Sequence, residues 1–285
     1  MAQLPDCLIS FSIENYKGIK HAECDGLEDA NWVFLTGENG SGKTSFLQAI
    51  LISLMSKGFN YWEYFKKGFV TEVRSSFYSS YERLENSFEV KERFKTAIWF
   101  GPIDGVTSQL KNIACYGPIR LIIQAEETKN ETSKKSQTGY GLFYPDVVYH
   151  NIEYDLHIWK LEKNKKFDII ESIFKSIIPN LDRIILIERN ILYVEKDASG
   201  KAYKPVKFEQ LPSGYQSLIA LIGDMYIRLS KNQPNTPAKE MAGVVIIDEL
   251  DMHLHPSMQK KYQAYYPKLS QKYNLLLLPT VQYHY

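Results

Sequence analysis

The stretch Phe34–Ile50, "FLTGENGSGKTSFLQAI", decides the fold. Within it, Gly37-Glu-Asn-Gly-Ser-Gly-Lys43-Thr44 satisfies GxxxxGK[ST] at every fixed position. Glycines at this spacing let the backbone curl so that successive N–H groups point inward at phosphate oxygens. Lys43 adds positive charge at the β- and γ-phosphates, and the Thr44 hydroxyl is a ligand for Mg²⁺. The expected nucleotide cradle is Gly37, Asn39, Gly40, Ser41, Gly42, Lys43, Thr44 and Ser45. Such a loop needs a strand before it and a helix after it. "NWVFLTG" (31–37) reads as a short buried strand, and "TSFLQAILISLM" (44–55) carries Phe46, Leu47, Ile50, Leu51 and Leu54 at helical spacing.

Two further motifs belong with the loop. "GVVIIDEL" (243–250) is a buried strand ending in Asp248 and Glu249, and strand C-termini are where parallel α/β sheets bind ligands. Asp248 would hold Mg²⁺ through water, and Glu249 would polarise an attacking water. Some 30 residues earlier, "LPSGYQS" (211–217) opens a helix with Ser213-Gly214, whose free N–H groups suit an anion.

Composition sets the frame. The chain has 285 residues, 44% of them hydrophobic, enough for one large domain. A net charge of +1 gives no global argument for nucleic acid. Three scattered cysteines argue against a disulfide framework or a zinc site. "MAQLPDCLIS" lacks the parts of a signal peptide, and no uncharged apolar run approaches the about 20 residues of a membrane helix. The expectation is a soluble, cytoplasmic protein without a membrane partner.

Elsewhere, "LISFSIENYKGI" (8–19) alternates like a strand, and "YGPIRLIIQAEE" (116–127) reads as another. "FDIIESIFKSIIPN" (167–180) is an amphipathic helix stopped by Pro179. Residues 183–210 read as antiparallel strands joined by a turn at Ala198-Ser199-Gly200, and 215–230 as a helix. Residues 57–110 show no clean period. Tyr61, Trp62, Tyr64 and Phe65 beside Lys66 and Lys67 are read as a core or partner-facing patch rather than a nucleic-acid platform. His253 and His255 form an HxH pair without an evident third ligand.

Phosphate loop, Ser-Gly-x-Gln at a helix start and a strand ending in Asp-Glu resemble the ATP-binding cassette class. "GENGSGKTS", "IIDELDMHLHP", "NYKGI" and "CYGPIR" resemble its soluble SMC, RecF and OLD branch, and within it the AAA-labelled ATPases of the Septu, PARIS and retron anti-phage systems. The resemblance implies an α/β fold: an ABC-type P-loop NTPase sheet with an antiparallel β subdomain and a helical insertion between the Walker A loop and the signature. One domain would cover 1–285, with 1–56 and 183–285 as core and 57–182 as insertion. It implies ATP and Mg²⁺ as cofactors, Lys43 and Glu249 as catalytic residues, and Thr44 and Asp248 at the metal. It implies a homodimer or higher homo-oligomer in which Ser213, Gly214 and Gln216 act in trans and Asp251 faces the partner. It also implies a nuclease or toxin effector. Gln109 and Gln124 are both candidates for the family's glutamine loop. The signature departs from Leu-Ser-Gly-Gly-Gln at Pro212 and Tyr215.

The alternatives are a RecF/SMC-like DNA-repair ATPase holding duplex DNA, and an inactive truncated ATP binder. A transporter subunit fits the "DELDMHLHP" loop poorly. The family's Thr-His-Ser-Pro switch is absent from "NLLLLPTVQYHY" (274–285), although suitable codons for the end of the leucine run and Pro279–Tyr285, read in another frame, give Thr-Thr-His-Ser-Pro-Ile-Ser-Leu. The reading therefore places a frameshift just after Asn274 and expects impaired turnover.

Overall fold

The computed structural model describes residues 5–30, 33–54, 71–79, 82–91, 96–100, 110–118, 135–234, 236, 240–249 and 275–281. The chain opens with β1 (Cys7–Tyr16), which turns at Lys17-Gly18 into β2 (Ile19–Cys24), pairing Tyr16 with Ile19. The single strand expected over 8–19 is therefore a hairpin end. Alternation alone does not mark a two-residue reversal, whereas Gly18 does. β3 (Leu35–Thr36) is a two-residue strand leading to the phosphate loop, and α1 (Lys43–Leu54) follows it.

β4 (Thr71–Ser79), β5 (Glu82–Lys91) and β6 (Thr96–Phe100) extend the first hairpin into an antiparallel sheet of order β2-β1-β4-β5-β6. Among the described residues between phosphate loop and signature, the strands come first and the helices later, in α2 (Tyr140–Phe143), α3 (Ile152–Leu161) and α4 (Lys165–Ile177). Antiparallel pairing with β1 and β5 holds 71–79 in place, with Val73, Ser75, Phe77 and Ser79 turned inward.

The second sheet is parallel, in the order β3-β11-β10-β7, with β7 (Ile113–Tyr116), β10 (Gly243–Ile247) and β11 (Leu275–Val281). The strand expected to begin at 116 ends there, and 119–127 lie outside the described residues. β10 and β7 alternate between two cores. Val244, Ile246, Ile113 and Cys115 face one cluster with α1; Val245, Ile247, Ala114 and Tyr116 face the other. That second cluster contains α3, α4 and α5 (Ser213–Lys231). The helix that follows the phosphate loop and the helix that carries Ser-Gly therefore pack on opposite faces of one sheet.

β8 (Leu181–Ile187) and β9 (Asn190–Glu195) form a hairpin whose turn is Glu188-Arg189, with φ values of 47° and 70°. The sequence carries no Gly or Asn-Gly there, and the expected turn at Ala198-Ser199-Gly200 is a second one. It returns the chain to bridge Lys196 with Ala202 and Tyr193 with Val206. α4 ends at Ile177 because Ile178, before Pro179, is extended. Its Ile170, Ile173, Phe174 and Ile177 are buried, each contributing about 1.5–3 kcal/mol of apolar burial. Among the described residues no helix is long and apolar enough to cross a membrane.

Candidate nucleotide site

The phosphate loop closes between β3 and α1. Gly40 and Gly42 take φ values of 81° and 92°, the left-handed region in which any side chain is strained. The Lys43 ammonium donates to the carbonyls of Gly37 and Glu38 at 2.7 and 2.8 Å, and Lys43 is 9% exposed. Thr44 Oγ1 donates to Asp248 Oδ2 at 2.5 Å. Asp248 is fully buried, and its backbone N–H donates to the Tyr116 carbonyl at 2.8 Å, which locks the end of β10 to the end of β7. Glu249, the next residue, has φ 49°. A non-glycine residue there is uncommon, and such conformations cluster at functional positions. The Thr44 hydroxyl and the Asp248 carboxylate bring two hard-oxygen groups together, a set that suits Mg²⁺.

Two side chains not singled out in the sequence brace this site. The buried Gln48 on α1 accepts from the Lys17 ammonium and donates to the Leu142 carbonyl. Burial lowers the Lys17 pKa. One amide thus fixes α1 against the β1–β2 turn and against α2. Its signal, a glutamine on the apolar face of α1, was visible in the sequence.

The Ser-Gly motif stands apart. Ser213 is exposed and is the first helical residue, with Pro212 at the N-cap. It is not an ordinary serine cap. Gln216 turns its amide onto the carbonyls of Leu211 and Glu209, at 2.8 and 3.2 Å, so it staples the preceding loop rather than projecting outward. Tyr215 donates to the Pro179 carbonyl at 3.3 Å. Asp251, His253, His255, Gln109, Gln124 and the Tyr61–Lys67 cluster lie outside the described residues. Among the described residues no three His, Cys, Asp or Glu side chains form a metal-holding group.

Sheet order, phosphate loop and the Thr44–Asp248 pair define an ABC-type P-loop α/β fold of the SMC and RecF kind. A solved RecF–nucleotide structure, "Structure of the recombination mediator protein RecF-ATPrS in RecFOR pathway", matches with a TM-score of 0.57 at 12% identity, over 100% of this chain and 94% of that one. A family profile described as "AAA domain, putative AbiEii toxin, Type IV TA system" matches residues 150–261. The Septu protein PtuA of Bacillus mycoides (strain KBAB4) is 31% identical over 269 residues, covering 86% of this chain and 34% of the relative. The Retron Ec83 probable ATPase of Escherichia coli is 27% identical over 144 residues, covering 50% of this chain and 25% of the relative. The chain thus spans between a quarter and about a third of the length of these two curated relatives. The chain has the ABC-type P-loop α/β fold of SMC heads and RecF, and its sequence is similar to the Septu protein PtuA and to a retron probable ATPase.

Proposed function

We propose that the chain binds ATP with Mg²⁺, dimerises on it, hydrolyses it, and thereby regulates a nuclease or toxin effector in anti-phage defence. The observation that carries the nucleotide chemistry is the Thr44–Asp248 contact, which joins the two ends of the sequence at one point. The Septu and retron relatives support the defence role.

Gly37–Ser45 would wrap the phosphates with backbone N–H groups. Thr44 would hold Mg²⁺ directly and Asp248 through water. The metal supplies charge neutralisation at the β- and γ-phosphates. Lys43 would move from its two carbonyls to the phosphates, where a cation lowers the barrier most in the charged transition state. Glu249 would orient a water and accept its proton as the water oxygen bonds phosphorus and the bridging bond to ADP breaks. α1 and α5 lie on opposite faces of the parallel sheet, so the exposed Ser213 and the Gly214 N–H suit the nucleotide of a second copy.

The test is equilibrium binding of Mg-ATP followed by light scattering. ATP-dependent doubling of mass supports the reading; an ATP-bound monomer at all concentrations ends the dimer. A second reading, duplex-DNA binding, draws on the likeness to RecF. ATP-dependent DNA binding that weakens steeply with salt would favour it.

A further inference from the structure

Behind the nucleotide site lies a polar cluster that the proposed chemistry does not use. Asp224, on α5, is fully buried. Its Oδ2 accepts from the Tyr116 hydroxyl at 2.8 Å and from Arg228 Nε at 2.6 Å. Its Oδ1 accepts from the His150 backbone N–H at 2.9 Å and contacts His150 Nδ1 at 2.6 Å. Arg228 also reaches Thr138 Oγ1 at 3.3 Å. Burial alone would raise the Asp224 pKa, but the Arg228 guanidinium and His150 outweigh it and bring it down to about 2. The carboxylate is therefore charged, and its donors come from three places: β7, the segment before α3, and α5 itself.

The position of the cluster is what matters. Tyr116 holds Asp224 with its hydroxyl and Asp248 with its carbonyl. Asp224 is 11 residues along the helix that begins at Ser213, so about 16 Å of rigid helix separates it from the signature. A hydrophobic helix face alone can slide on a sheet. A charged carboxylate held from off the helix by the Tyr116 hydroxyl and by His150 cannot do so without breaking charge-assisted bonds.

We infer that Asp224 is a positioning residue: through Tyr116 it ties the end of the strand carrying Asp248 to the helix carrying Ser213 and Gly214. Occupation of the chain's own nucleotide site then sets the pose of the Ser-Gly turn offered to a second copy. The inference rests on the nucleotide reading above and adds to it the residue that links the two half-sites of one chain.

The test is hydrogen exchange on the chain carrying Ser213→Arg, which blocks docking of a second copy so that any effect is intramolecular. Mg-ATP is expected to slow exchange at Tyr215–Leu218 about tenfold, equivalent to about 1.4 kcal/mol. Adding Tyr116→Phe is expected to reduce that response below about twofold while ATP affinity stays within about threefold, because only the strut to α5 is removed. Asp224→Asn, which keeps the shape but not the charge, is expected to act likewise. A role confined to stability would shift melting but leave the nucleotide-dependent difference intact. ATP binding without a response at 215–218, or a response that survives Tyr116→Phe, overturns the inference and leaves the nucleotide reading standing. Absence of ATP binding overturns both.

Discussion

The Thr44 hydroxyl donates to Asp248 Oδ2 at 2.5 Å, across a sequence separation of 204 positions. These are the two groups that the proposed function places around Mg²⁺. Thr44→Val keeps volume and branching but removes the ligand. Its expected effect is a loss of Mg²⁺-dependent ATP affinity of about tenfold to a hundredfold, the scale of a charge-assisted interaction. Affinity in EDTA should change little, because the backbone cradle remains. Titration with a fluorescent ATP analogue in Mg²⁺ and in EDTA separates the two. Equal losses in both would show that Thr44 acts through the loop's shape and not through the metal.

Glu249 follows the buried Asp248 and holds φ at 49°. Glu249→Gln preserves size and hydrogen bonding but cannot accept the proton of the attacking water. Turnover is expected to fall by about a hundredfold or more, the usual contribution of a positioned base. Mg-ATP binding should persist, and the ATP-bound dimer should accumulate. Phosphate release assays and light scattering with Mg-ATP would read the two effects together. A variant that turns over as fast as the wild type would remove Glu249 from the base role.

Much of this was legible because the sequence signals were local. The phosphate loop, the all-apolar β10 and the α4 stripe each carry their own pattern, and each falls where it was expected. What was illegible depends on partners distant in sequence. β4 turns Val73, Ser75, Phe77 and Ser79 inward, but two of the four are serines, so its alternation is not an apolar pattern in the sequence and shows only in its pairing with β1. The Glu188-Arg189 reversal uses left-handed residues with no glycine, so tertiary pairing overrides turn preference. Asp224 carries no local signal of its role within its helix. Its donors Tyr116 and His150 lie 108 and 74 positions away.

Close backbone packing offers a stability test independent of nucleotide. A Cβ added at Gly117 would stand 1.6 Å from the Gly141 carbonyl oxygen. That obstacle is backbone, so α2 would have to move away from the end of β7, and Gln48 would lose its acceptor at Leu142. Gly117→Ala is expected to destabilise the fold by more than about 3 kcal/mol, beyond ordinary overpacking. Gly200→Ala is the contrast. Its φ of 87° strains a side chain, but nothing lies within 4 Å, so a smaller cost of about 1–2 kcal/mol is expected. Urea unfolding of both would rank them, and the reverse order would contradict the packing argument.

The Asp224–Arg228 pair gives the clearest dependence on pH. The folded carboxylate titrates at about 2, below the about 3.9 of an unfolded Asp. A depressed folded pKa contributes stability above the unfolded value, and that stability is lost as pH falls from about 4 towards 2. The difference corresponds to about 2–3 kcal/mol at neutral pH. Wild-type stability should therefore decline more steeply than that of Asp224→Asn over this interval, while the variant is already weaker at pH 7. Arg228→Met leaves the buried carboxylate without its cation and is expected to cost about 3–5 kcal/mol. It should also move the acid transition to higher pH, since burial would then raise the Asp224 pKa. Combining it with Asp224→Leu removes the uncompensated charge and should recover part of the loss, the remainder reflecting the Tyr116 hydroxyl and His150 N–H left without their acceptor. Denaturant melts of the three variants at pH 7 and at steps down to pH 2 would check this. If Arg228→Met proved no less stable than the double variant, the Arg228 guanidinium would not be what compensates the buried charge.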